Sequence, residues 1–180
     1  MNHQQDKQAT KRLFFALWPG HRSREAIYKV ARALKKQTAG QLVNFENLHL
    51  TLAFVGSVTE QQQQCMEQVA GRVSIPRFSI NLSELGFWPK PKVAWLGCKT
   101  APAGLLQLAN VLNANLQNCG YEGDKRPFQA HVTLLRKAKN HPQDTETQEI
   151  HWSVDRFALV ESITRAEGVE YQILAEWPLK

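Results

Sequence analysis

At 180 residues, with 43% hydrophobic and 21% charged residues, the chain has the length and composition of one ordinary globular domain. No apolar run approaches the roughly 20 residues of a membrane-spanning helix, and the polar start from Met1 to Thr10 lacks the apolar stretch of a secretory signal. A net charge of +6 favours polyanionic partners at the level of encounter without specifying a site.

Residues 1–11 are expected to form a flexible tail, and residues 12–180 a single bilobal domain. Arg12 to Trp18 is an apolar run stopped by Pro19-Gly20, the pattern of a short buried strand. From His21 to Gln37 the apolar residues Ala26, Ile27, Val30, Ala31 and Leu34 recur at helical spacing, and Gly40 follows as a terminator. Leu42-Val43 can begin a short strand ahead of a longer one from Leu48 to Val55. Thr59 with Gln62 resembles a capping box opening a helix that runs to about Gly71. Phe78 to Leu85 alternates apolar with polar and reads as a strand. Trp88 to Lys92 reads as a loop, because its two prolines cannot donate to a ladder.

The second half repeats this plan. Val93 to Cys98 is a strand, and Ala103 to Asn118 an amphipathic helix ended by Gly120. A loop with Arg126, Pro127 and Phe128 leads into the strand that begins near His131. The stretch from Arg12 to His49 is nearly as long as that from Lys92 to His131, so an internal duplication about a pseudo-twofold axis is the economical reading. Trp152 to Ser162 and Val169 to Trp177 alternate well enough for two further strands. The fold class expected is α+β: two pseudo-twofold-related lobes of mostly antiparallel sheet, about ten short strands in all, with helices packed outside and a central cleft.

Two tetrapeptides carry the chemistry: His49-Leu50-Thr51-Leu52 and His131-Val132-Thr133-Leu134. In a strand, residues i and i+2 share a face, so each motif presents an imidazole beside a hydroxyl while its aliphatic residues fill the other face. Imidazole, with an unperturbed pKa of about 6.5, can give or take a proton at neutral pH. The threonine hydroxyls can donate to the non-bridging oxygens of a phosphate, where transition-state charge accumulates. Arg136 adds a cationic fork suited to phosphate, but it lies off the parity of His131 and Thr133 and reaches the same face only if the strand twists or ends before it. Neither motif supplies the clustered ligands of a catalytic zinc, so no metal or cofactor is expected. The cysteines, Cys65, Cys98 and Cys119, are odd in number and lack C-x-x-C spacing, so neither a disulfide framework nor a zinc site is indicated, and a reducing cytoplasm is the expected location.

The segments NLHLTLAFVG, KVAWLG and RPFQAHVTLLRKA together resemble the two-histidine phosphoesterase superfamily, and within it the bacterial and archaeal RNA 2′,3′-cyclic phosphodiesterases, also called 2′-5′ RNA ligases. The resemblance runs from about Arg12 to Lys137 and more weakly to the C-terminus. It implies hydrolysis of a terminal 2′,3′-cyclic phosphate to a 2′-phosphate, with His49 and His131 catalytic, Thr51, Thr133 and Arg136 on the phosphate, and the reverse joining possible in principle. His131 is favoured as base and His49 as acid, although the near-symmetry of the motifs leaves the two roles open. The partners implied are RNA ends or nucleotides bearing a cyclic phosphate, with no membrane, no obligatory protein partner and a monomer by default.

Each assignment has a plainer rival. Threonine is a common strand former, and Arg136 could be a solvated strand end. Phe128 could stack on a base or plug the core. Arg126, Lys90 and Lys92, with Trp88, could line an RNA groove or lie on exposed loops. His3, His21, His141 and His151 have no repeated partner and read as incidental. Two other functions remain in view: the same chemistry on small cyclic nucleotides, ADP-ribose cyclic phosphate or 2′-5′ oligoadenylates, and a non-catalytic RNA-binding module.

Overall fold

The computed structural model describes residues 10–124, 126–166 and 168–180. The expected tail at 1–11, with His3, therefore lies almost wholly outside the described residues. Among those described, nine strands form one sheet in which every pair is antiparallel, backed by three α-helices.

The first unit is β1 (Lys11–Leu17), α1 (His21–Thr38), the short β2 (Gln41–Leu42) and β3 (Leu50–Val58). In α1 the buried residues Ile27, Ala31, Leu34 and Thr38 fall one helical turn apart, which is why this stretch packs as a helix with its Lys and Arg outward. Next, α2 (Glu60–Ala70) starts at Thr59, whose hydroxyl accepts from Gln62 N while the Gln62 side chain accepts from Thr59 N, completing the expected capping box. β4 (Phe78–Trp88) leads to the second unit: β5 (Val93–Gly97), α3 (Ala103–Gln117) and β6 (His131–Arg136). Leu105, Leu108, Leu112 and Leu116 of α3 are fully buried, and truncating any one to alanine costs about 2–5 kcal/mol.

The C-terminal strands differ from the sequence reading. Trp152 to Ser162 is not one strand but parts of two, β7 (Glu146–Val154) and β8 (Arg156–Arg165), followed by β9 (Gly168–Pro178). The break falls at the charged pair Asp155-Arg156, across which the buried parity shifts from Trp152 and Val154 to Phe157 and Leu159. Strand order is β7-β4-β5-β6-β3-β1-β8-β9, with β2 pairing β6. Reading outward from the centre, β3-β1-β8-β9 mirrors β6-β5-β4-β7, so the duplicated strand–helix–strand units meet at β3 and β6. A single residue separates β7 from β8, although they lie far apart in the strand order. The sheet must therefore curl until these strands approach each other.

The cysteine reading is also corrected. Cys65 in α2 and Cys119, just past α3, form a disulfide with Cα atoms 5.7 Å apart, leaving Cys98 free. The two cysteines lie 54 positions apart and carry no spacing signature. They meet because α2 and α3 pack side by side. No described helix is long and apolar enough to cross a membrane.

Candidate active site

β3 and β6 are joined through one registered pair, Leu50 opposite Val132, both fully buried. Antiparallel pairing through this point sets His49 opposite Thr133 and Thr51 opposite His131, all on the face away from those aliphatics. Each imidazole thus sits beside the other motif's hydroxyl. The four side chains line one cleft of about 420 Å³, together with Arg12, Phe14, Phe54, Arg136, Tyr171 and residues of the β8–β9 hairpin.

Arg136 reaches the cleft through a β-bulge. Leu135 pairs with Ala94, but the next residue of β5, Trp95, pairs with Thr133, so Leu134 is an extra residue. Leu134 and Leu135 both point into the core with no exposed surface, and the parity of the strand changes behind them. Arg136 therefore falls on the same face as His131 and Thr133. β3 does the same: Phe15 pairs with Ala53 and Ala16 with Thr51, leaving Leu52 extra, with Leu52 and Ala53 both buried. The residue brought to the cleft there is Phe54, 49% exposed, with the Arg12 guanidinium 5.0 Å from its ring centre. The signal was present in the sequence, since Phe54 follows His49 by the same interval as Arg136 follows His131.

The two histidines are held alike. His49 Nδ1 donates to the Asn47 carbonyl at 2.7 Å and His131 Nδ1 to the Gln129 carbonyl at 2.8 Å. A carbonyl only accepts, so each Nδ1 carries a proton and each Nε2 is left for the cleft. Their surroundings differ. Burial lowers the His49 pKa to about 4, outweighing the bond to Asn47, with Arg136 and His131 adding repulsion. His131 is also lowered by burial, against the raising effect of its bond to Gln129. Trp18 stacks on His49, and Phe14 and Tyr171 flank it. Trp88, at the end of β4, meets His131 edge to face at 4.5 Å, with Trp95 behind. Trp95 lies flat on Gly86, where a Cβ would come within 2.0 Å of the indole, so this wall requires glycine at position 86.

The remaining sequence candidates lie elsewhere. Lys90 and Lys92 occupy the exposed turn between β4 and β5, Arg126 is paired with Asp124, and Phe128 packs against the core; none of the four lines the cleft. A larger cavity of about 880 Å³ lies between α1 and β7 and contains neither motif histidine. Among the described residues no three His, Cys, Asp or Glu side chains cluster as a metal site would require. The cleft thus combines two imidazoles, two guanidinium groups, the motif hydroxyls of Thr51 and Thr133, further hydroxyls on Ser162, Thr164 and Tyr171, and the half-exposed ring of Phe54. Proton transfer at an anionic centre is the chemistry that set serves.

Comparison with known proteins finds relatives over nearly the whole chain. A model of the 2′-5′ RNA ligase superfamily matches residues 22–165. A protein named RNA 2′,3′-cyclic phosphodiesterase from Escherichia coli strain K12 is 36% identical over 94% of this chain and 97% of its own length. Another of that name, from Archaeoglobus fulgidus, is 30% identical over 91% and 97%. Among solved structures, E. coli LigT in apo form superposes with a TM-score of 0.88 at 34% identity, covering 94% of this chain and 98% of that one.

Proposed function

The chain belongs to the 2′-5′ RNA ligase superfamily, and from that premise we propose that it is a hydrolase opening 2′,3′-cyclic phosphates at RNA ends, by metal-independent acid–base catalysis between His49 and His131. The observation that carries the proposal is that two Nε2 atoms, one from each duplicated unit, are left free beside one cleft that Arg136, at the end of β6, also lines.

The half-exposed Phe54 ring supports a placement of the substrate. A terminal base stacked on Phe54 puts its ribose on the His49 side and its phosphate toward Arg136 and His131. In that arrangement His131 takes a proton from water as the water oxygen bonds to phosphorus. The bond from phosphorus to the ribose 3′ oxygen breaks, and His49 protonates that oxygen, leaving a 2′-phosphate. Thr51, Thr133 and Arg136 hold the non-bridging oxygens as charge grows on them. With a 5′-hydroxyl in place of water, the same steps bond that hydroxyl oxygen to phosphorus, release the 3′ oxygen and leave a 2′-5′ linkage.

Lys90, Lys92 and Arg126 are left as electrostatic contacts with RNA beyond the terminal nucleotide. The cleft is complete within one chain, so residues 12–180 act as a single monomeric unit, in the cytoplasm with their RNA. The deciding experiment digests an oligonucleotide ending in a cyclic phosphate, with chelator present, and identifies the product end. A 2′-phosphate, with turnover lost in both His49→Ala and His131→Ala, is the expected result. A 3′-phosphate, inhibition by chelator, or activity kept by either variant refutes it.

A further inference from the structure

The imidazole of His49 has an aromatic neighbour of a kind that His131 lacks. The Trp18 indole lies parallel over it, with ring centroids 5.0 Å apart and planes within 9°. Phe14 of β1 approaches at 5.0 Å, tilted by 37°, and Tyr171 of β9 meets it at 5.2 Å, nearly perpendicular. The rings brace one another, since Tyr171 also stands edge-on to Trp18 and Phe14. Trp18 Nε1 donates to the Glu46 carbonyl at 3.2 Å, which fixes the rotation of the indole over the imidazole. At His131 the aromatic contacts are steeply inclined, 78° for Trp88 and 66° for Trp95, and among the described residues no ring lies parallel to it.

From this geometry we infer that Trp18 is a positioning residue that stabilises the protonated form of His49, the form in which it acts as general acid, by presenting its π-face to the imidazolium. The inference rests on the acid role given to His49 above. The face of an indole is the negative end of its quadrupole, and a cation stacked on it is attracted most strongly where water is excluded. The other groups around His49 largely oppose the charge. Burial is the largest of these effects, Arg136 and His131 on β6 add repulsion, and Arg12 of β1 lines the same cleft. Among the described residues no carboxylate lines the cleft. The Asn47 carbonyl favours protonation, but the Gln129 carbonyl does the same for His131, so it does not distinguish the two motifs. The parallel indole does.

The test compares wild type with Trp18→Leu, which keeps an apolar cover and removes the ring face, and Trp18→Phe, which keeps a weaker face. Each protein is titrated by NMR on the His49 ring proton, with saturating inorganic phosphate in the cleft. The alkaline limb of kcat is measured alongside. In the leucine variant the His49 midpoint and the kcat limb move down together by about half to one and a half pH units, while the His131 midpoint stays put. The phenylalanine variant falls in between, and it carries the test by itself should the leucine chain not fold. An unchanged or raised midpoint, or phenylalanine and leucine behaving alike, overturns the inference. The titration needs no turnover, so it fails separately from the phosphodiesterase reading, which a wild type inactive on cyclic phosphates would sink by itself.

Discussion

Replacing Phe54 by alanine isolates the contribution of base recognition from that of chemistry. The ring is 49% exposed and one neighbour is the Arg12 guanidinium, so its removal leaves no core cavity and costs the fold well under about 1 kcal/mol. Stacking of a base on an aromatic side chain is worth about 1–3 kcal/mol. With much of the ring open to solvent before substrate arrives, the lower part of that range applies, giving a loss of roughly tenfold in kcat/KM. The assay is hydrolysis of an oligonucleotide ending in a 2′,3′-cyclic phosphate, run with a normal and with an abasic terminal nucleotide on both proteins. Wild type should lose about tenfold when the base is removed, and Phe54→Ala should lose little more, because the two changes delete one interaction. Losses that simply multiply would show that the base and Phe54 do not meet. A loss beyond a thousandfold would instead place Phe54 in the chemistry.

Four other outcomes follow from the structure. Arg136→Ala should lower kcat by about a hundredfold or more, with Arg136→Lys recovering only part, since a point charge cannot reproduce a bidentate fork; full recovery by lysine in steady-state kinetics would refute that geometry. Because the His49 pKa falls from 6.5 in the unfolded chain to about 4 in the fold, the unfolded state binds more protons between those values. Stability contributed by neutral His49 is therefore complete above pH 6.5 and lost as pH falls to about 4, by at most about 3 kcal/mol, and His49→Gln should flatten that part of the stability curve in urea titrations. Both histidines are lowered in the free protein, so the alkaline limb of kcat/KM should lie below pH 6.5, with that of kcat higher once the bound phosphate favours protonation. Finally, the Cys65–Cys119 bond closes a loop of 54 residues, for which chain entropy gives about 4 kcal/mol. Reductant should lower the melting temperature by roughly 10 °C and leave a Cys65→Ser/Cys119→Ser double variant unaffected; equal melts would show that the bond adds nothing.

What the chain order alone determined was everything governed by local periodicity. The alternation in His49-Leu50-Thr51-Leu52 and its counterpart at His131 assigns imidazole and hydroxyl to one face because a strand's side chains alternate regardless of its partners. The 3.6-residue spacing in α1 and α3 and the Thr59–Gln62 cap are equally local, and all three helices fall where they were expected. Alternation failed where strand parity or continuity depends on a neighbour. The extra residues Leu52 and Leu134 exist only relative to β1 and β5, so the arrival of Phe54 and Arg136 in the cleft was not readable from β3 or β6 alone. The disulfide depends on the packing of α2 against α3. The stack of Trp18 on His49 joins residues from two chain segments whose approach is set by the pairing of β1 with β3. Sequence placed the two imidazoles on strand faces; only the tertiary pairing decided what surrounds each one, because burial and contact are properties of neighbours distant in the chain.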